Sequence, residues 1–416
     1  MRMNTDHDFD VAAVRRRFPA LARRHASREA VFFDGPAGSQ VPESVIHAIG
    51  DYLRTCNANH GGVFATSVES DALLDDAHRA AADLLRADDP DCCYFGANMT
   101  SLTFALSRSL ANTWNAGDEI IVSRSDHDGN YTPWVLAARD AGAVVRTIDL
   151  RPDCTLDLDA YRRLLTSRTR LVAVGCASNA VGTVHPVAEI AEAAHAVGAL
   201  VFLDAVHYAP HRRIDVAAWR CDFLVCSAYK FFGPHVGLMW GRRELLERLT
   251  PYKLRPAPND LPGRWMTGTQ SHEGIAGVRG AIDYLAELGG NGAGADRRTA
   301  LDAAFAKIAA YERRLGVRLQ AGLDRLPQFK SYGITAAARF DERVPTFSIA
   351  HRTLPSIEVA RRLAAAGIFA WHGNFYALPL TEALEVEPAG LVRLGLLHYN
   401  TEEEIDYVLS VLERID

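Results

Sequence analysis

Lysine is nearly absent from this chain. Of 45 basic residues only Lys230, Lys253, Lys307 and Lys330 are lysines, and the other 41 are arginines. Arginine stays protonated, so a mechanism that needs an amine nucleophile has four candidates. Cysteine is sparse too. Cys56, Cys92, Cys93, Cys154, Cys176, Cys221 and Cys226 form an odd set without CxxC spacing, and none lies beyond residue 226. That pattern suits a reducing cytoplasm. Cys154, beside an expected surface turn, is the candidate for exposure. No apolar run approaches the ~20 residues of a membrane span, and the N-terminal residues lack the apolar stretch of a secretory signal. A net charge of -6 argues against a nucleic-acid partner. No GxGxxG follows an early strand, which counts against a dinucleotide-binding protein.

What is present is a globular composition. The 416 residues are 48% hydrophobic and 23% charged, enough to bury a large core without staples. Residues 1–30 read as an amphipathic helix followed by a polar link. VFFDGPAGSQVP (31–42) reads as a short strand running into turn residues. Helices are expected over 43–55, 69–87, from about 100, 131–141, 186–197 and 214–219. Between them fall EIIVS (119–123), AVVRTIDL (143–150), RLVAVGCAS (170–178), ALVFLDA (199–205), DFLVCSA (222–228) and VGLMWG (236–241). Continuous apolar runs separated by helices predict buried parallel strands with helices on both faces. VGLMWG follows its neighbour too closely for a crossover and is expected to run antiparallel. After about 290 the pattern changes. A long Ala/Arg helix (297–326) precedes strands near 343–350 and 391–396 and helices near 355–366 and 401–414. NGAGAD (291–296) resembles a flexible linker. The expected organisation is an N-terminal segment (1–30) packing with a small domain, a large α/β domain (31–290), and a small α+β domain (291–416).

Ligands of open α/β sheets bind at the carboxyl ends of the strands. The polar residues that follow the apolar runs are Asn98, Thr100 and Ser101, then His127, Asn179, Asp204, His207, Ser227 and Lys230. Each has a bland reading: a surface lysine, a solvated carboxylate, a loop histidine, a helix cap. Lys230 stands apart because Phe231 and Phe232 follow it. Such company suits partial burial, which lowers an amine's pKa and makes it a usable nucleophile. GANMTS at a helix start offers a phosphate cradle. Together, a Schiff-base lysine, an acid for a ring nitrogen, a flat ring for stacking and phosphate donors are the parts pyridoxal phosphate requires. His207 and His211 form an HxxxH pair, but Pro210 interrupts any regular helix between them, and no metal site is expected.

With those residues in place, the chain resembles the class V aminotransferase superfamily of fold-type I pyridoxal phosphate enzymes, and within it the group II cysteine desulfurases and their relatives. The resemblance runs from VFFDGPAGSQVPESV to LGLLHYNTEEEIDYVLSVL and rests on SDHDGN, ASNAVGTVHPV, FLDAVHYAPH, SAYKFFGP and MTGTQS. It implies a large domain built on a mostly parallel sheet, a smaller α+β C-terminal domain, and pyridoxal 5'-phosphate as cofactor. Lys230 would form the Schiff base, His127 would stack on the pyridine ring, and Asp204 would bind its nitrogen. His207 stands where a glutamine usually approaches the ring hydroxyl. Thr100, Ser101 and Ser227 would hold the phosphate, and Asn179 would sit near the ring. Thr269 would reach the phosphate of a partner subunit, which implies a homodimer. Arg393 would hold the substrate carboxylate, with His60 and Asn374 on the substrate side.

The departures bear on reaction type. The desulfurases carry a nucleophilic cysteine on a loop of the small domain; here the stretch is FAWHGNFYALPL, with Tyr376 at that place. Trp371 replaces a loop arginine, Tyr229 replaces the histidine before the lysine, and Gly61 stands where an arginine is common. The resemblance therefore implies a cytoplasmic enzyme acting on an α-amino acid through a Cα carbanion. The leading expectation is a C–S or β-elimination lyase without an enzyme persulfide, with Tyr376 as an acid or a packing residue. A class V aminotransferase is the alternative, and an epimerase or other Cα/Cβ chemistry remains open.

Overall fold

The apolar runs pair into one seven-stranded sheet in a computed structural model that describes residues 9–290 and 296–416. Its strands are β1 (Cys93–Gly96), β2 (Glu119–Ser123), β3 (Val144–Ile148), β4 (Thr169–Gly175), β5 (Leu200–Asp204), β6 (Phe223–Ser227) and β7 (Gly237–Gly241), in the order β1-β7-β6-β5-β4-β2-β3. All pairings are parallel except those of β7, which runs antiparallel to both β1 and β6, as the short connection predicts. Every residue of β2 and β6 is buried, because helices cover both faces of the sheet. β3 lies at the edge, and its side chains are largely half-exposed or exposed. Since β2, β4, β5 and β6 run parallel, their carboxyl ends share one rim.

A second, antiparallel sheet follows. It contains β8 (Phe329–Tyr332), β9 (Thr346–His351), β10 (Trp371–Gly373) and β11 (Leu391–Gly395), in the order β8-β9-β11-β10. The helices Arg297–Leu323, Ser356–Ala365 and Glu402–Glu413 accompany it. The short strand expected at the start of 31–42 is Val31–Phe32, and turn residues follow it. It pairs in parallel with Ile368–Phe369, outside the large sheet. Most of the linker-like NGAGAD lies outside the described residues; Asp296 caps the long helix through Thr299 N.

The N-terminal segment departs from the expected amphipathic helix. Among its described residues only Val11–Arg15 is α-helical, and Pro19 opens a 3-10 turn. Phe9 stacks on Tyr311 at 4.7 Å. Arg15 donates to the Tyr399 carbonyl and pairs with Glu404 at 2.8 Å. Phe18 meets Tyr399 as well as Phe232 and Tyr284, so short anchors rather than one helical face hold the segment. The helix His272–Gly289 was not expected from the sequence, because its four glycines weaken the helical signal. Cys154 is also not exposed. The turn around it is closed over by Ala180, Val181, Ala377 and Leu380, leaving 1% of it accessible. No helix of the described residues is long and apolar enough to cross a membrane.

Candidate active site

A cleft of about 1110 Å³ opens at the carboxyl rim of the large sheet and is closed on its far side by residues 371–376 and Arg393. All but two of the expected site residues line it: Thr100, Ser101, His127, Asn179, Asp204, His207, Ser227, Lys230, Asn374, Tyr376 and Arg393. Thr269 and His60 do not; both are exposed on the surface.

Lys230 follows β6 on a 3-10 turn and is partly buried. Its Nζ donates to the Pro36 carbonyl at 2.5 Å and lies 4.7 Å from the Tyr229 ring. No carboxylate pairs with it among the described residues. Burial, reinforced by the Arg393 charge and partly countered by Asp204, lowers its pKa to about 7. Asp204 ends β5 and is buried; its Oδ1 accepts from Val206 N at 2.8 Å. Burial raises its pKa to about 6, against the pull of that hydrogen bond and of Lys230.

His127 caps a short turn after β2. Its Nδ1 accepts from Gly129 N at 2.9 Å, which leaves the ring proton on Nε2. Burial and the charges of Lys230 and Arg393 lower its pKa to about 4, so the ring is neutral. Tyr376 lies near-parallel to it at 5.6 Å. Tyr376 is 72% exposed at the rim. His207 is buried, and burial holds its pKa well below the ordinary value. Its Nε2 meets Thr346 Oγ1 at 2.9 Å. His207 and His211 lie on a turn, not on a helical face, and their rings meet edge to face at 5.6 Å. His211 is engaged by Glu312 at 2.8 Å.

The phosphate-like cradle sits where helix Met99–Ala111 begins. Asn98 caps it by accepting from Ser101 N at 2.9 Å, and Ser227 Oγ accepts from Met99 N at 2.9 Å. That bond ties the end of β6 to the helix start. Thr100 and Ser101 stand in the first turn, on the side facing the cleft. Across from them Arg393, on β11, is buried without an ion-pair partner among the described residues. Its Nη1 donates to the Asn179 carbonyl at 2.8 Å.

Sequence reasoning missed Asp126, a buried residue on the cleft floor. It accepts from Gly175 N at 2.5 Å and pairs with Ser123 Oγ at 3.0 Å. Burial and the Asp204 charge push its pKa up to about 8. Its place inside SDHDGN was the available signal. Phe375 was missed as well, since its part arises only when the loop meets Arg393.

A family model for aminotransferase class V matches residues 31–408. A cysteine desulfurase of Klebsiella pneumoniae is 32% identical, over 98% of this chain and 98% of its own. An aminotransferase-like protein, FGM3, of Gibberella zeae is 33% identical over 98% of each chain. The solved cysteine desulfurase of Thermococcus onnurineus matches with a TM-score of 0.88 over 97% of each chain, at 24% identity, which is a likeness of fold. The architecture is that of the type I pyridoxal phosphate enzymes. With the family model spanning both sheets and the rim between them, this chain belongs to the class V aminotransferase family and is a pyridoxal 5'-phosphate-dependent enzyme.

Proposed function

We propose that the enzyme holds an α-amino acid by its carboxylate at Arg393, moves the Cα proton with Lys230, and completes a C–S or β-elimination without passing sulfur to a cysteine of its own. One observation carries this reading. An amine with a pKa near neutrality, a carboxylate, a neutral imidazole and an unpaired guanidinium share one cleft, and no cysteine among the described residues lines it.

The residues present fit pyridoxal phosphate. Asn179 Oδ1 is buried without a partner, Asp204 commits only Oδ1 to a protein donor, and Lys230 Nζ has only a carbonyl as hydrogen-bond partner. When bound, the cofactor supplies an electron sink for negative charge at Cα. Asp204, ionised above about 6, would hold the proton of the ring nitrogen. His127 would cover a ring face, and its neutral state keeps a second positive charge away from Lys230. His207, fixed by Thr346, would approach the ring hydroxyl, and Asn179 would sit near the ring. Thr100, Ser101 and Ser227 would take the phosphate at the helix start, where backbone N–H groups and the helix dipole favour an anion. Arg393 orients the carboxylate, and Asn374 lies on the substrate side. Tyr376, at the mouth, donates a proton or a hydrogen bond to the leaving group.

Thr269 and His60 lie apart from the cleft of their own chain, and exposed Val63, Phe64 and Val68 adjoin His60. These features support a homodimer in which Thr269 reaches the partner's phosphate. A sedimentation mass of one chain would overturn it. The seven cysteines, all unpaired and buried, support a cytoplasmic setting.

The test is a panel of L-amino acids with holoenzyme. Elimination from cysteine releases pyruvate, ammonia and sulfide together, continuously. Transamination, which the name of the fungal relative favours, releases a 2-oxo acid without ammonia and stops at one equivalent unless an acceptor is added. A 2-oxo acid released without ammonia would sink the lyase reading. Tyr376→Phe then separates a proton donor, whose loss lowers turnover with binding intact, from a residue that only shapes the mouth.

A further inference from the structure

Arg393, Asn179 and Phe375 form a closed set of contacts at the far wall of the cleft. Arg393 Nη1 donates to the Asn179 carbonyl at 2.8 Å. Asn179 Nδ2 donates to the Phe375 carbonyl at 2.8 Å. The Phe375 ring lies under the guanidinium, 4.3 Å from its carbon to the ring centroid. The three residues come from the turn after β4, the loop after β10, and β11 itself. None of the groups that hydrogen-bond or stack on the guanidinium is a carboxylate, and Asp34 acts on it only electrostatically, without an ion pair.

The backbone that presents Phe375 is unusual. Phe375 and Tyr376 both adopt φ of +57°, the left-handed region that non-glycine residues avoid. Such strain persists only where the surroundings over-determine it, and it gathers at functional sites. Here Asp128 N donates to the Tyr376 carbonyl at 2.6 Å, Tyr376 N to Asn374 Oδ1 at 3.1 Å, and Ala377 N to the Asn374 carbonyl at 2.8 Å. The turn is pinned from both the loop and the large sheet. Filling space alone would not need a ring held in this way.

We propose that Phe375 is a positioning residue for Arg393: its ring sets the plane of the guanidinium, and the strained turn thereby builds in selectivity for substrates with a free carboxylate. The inference rests on Arg393 taking the substrate carboxylate. A guanidinium on an aromatic face keeps its in-plane donors free. With Nη1 engaged by Asn179, the remaining edge faces the cleft as a planar fork for two carboxylate oxygens.

The experiment titrates holoenzyme with the proteinogenic L-amino acids and with the methyl ester of each that shifts the cofactor's visible band. The quantity read is the preference for acid over ester. Phe375→Leu keeps an apolar side chain but removes the aromatic face, and is expected to cut that preference by about tenfold. Phe375→Tyr should retain it, and Arg393→Ala should abolish it. Phe375→Met replaces the leucine variant if the latter does not fold. A leucine or methionine variant with the full preference overturns the role of Phe375 while leaving Arg393 in place. A wild-type enzyme that treats acid and ester alike, or that no amino acid perturbs, overturns the carboxylate reading and this inference with it.

Discussion

An exposed lysine at neutral pH is protonated and inert toward a carbonyl. Lys230 differs because partial burial and the Arg393 charge bring its pKa from the ordinary 10.5 to about 7. The sign follows from the lone pair. Below about 7 the amine carries a proton and cannot attack, and above it the neutral form prevails. Capture of added pyridoxal phosphate by apoenzyme is therefore expected to accelerate as pH rises through about 7 and then level off, followed by the rise of the visible band. Borohydride should then fix the cofactor on Lys230 in a peptide map. A label on Lys253, Lys307 or Lys330, or a capture rate that keeps climbing toward pH 10, would contradict the assignment. The Lys230 position was legible in the sequence because the strand-end rule and the Phe231–Phe232 pair marked it. Asp126 was not, because a carboxylate in a Ser/Asp-rich turn looks solvated until the fold buries it.

At the scale of elements, the strands were legible where burial on two faces demands unbroken apolar runs. β2, β4, β5, β6 and β7 fall where the runs are. The N-terminal helix was not, because the contacts that hold residues 9–21, to Tyr311, Tyr399 and Phe232, lie hundreds of positions away. The pairing of Val31–Phe32 with Ile368–Phe369 is equally non-local. One element carries the site across the two sheets, the turn after β4 in ASNAVGTVHPV. Gly182 sits there at φ +78°, its carbonyl accepting from Val344 N at 2.8 Å. A Cβ on it would meet the Val344 carbonyl at 2.6 Å and the Thr346 carbonyl at 2.7 Å. Backbone atoms cannot yield as a side-chain end can. Gly182→Ala is therefore expected to destabilise the fold by about 2 kcal/mol or more. Because the turn carries Asn179 and abuts the strand that holds Thr346, cofactor affinity should fall with it. Chemical denaturation of the holoenzyme checks both, and an unchanged midpoint would show that the two sheets do not meet so closely here.

For the whole molecule, the fate of sulfur depends on where seven thiols lie relative to one cleft. Gly175, Ala177 and Ser227 line that cleft, yet Cys176 and Cys226, their immediate neighbours in sequence, do not. Adjacent side chains of extended chain point to opposite sides, and the cysteines turn into the core, where both are almost wholly inaccessible. Burial and the nearby Asp204 charge push their thiol pKa values up, and burial does the same to Cys92, to about 12, and to Cys154, to about 11. A thiol attacks sulfur as the thiolate, so these groups are poor acceptors by protonation state as well as by position. The rim loop presents Tyr376, and a phenol cannot carry a persulfide. Intact-protein mass spectrometry after incubation with L-cysteine is therefore expected to show no gain of a sulfur atom while sulfide accumulates in solution. A persulfide on any cysteine, formed as fast as alanine appears, would mean that the core opens during turnover and that the enzyme is a desulfurase by another route. Alanine with no persulfide would place the carbon chemistry with the desulfurases and the sulfur release with a small-molecule acceptor. Pyruvate and ammonia without a persulfide are the products expected of this cleft.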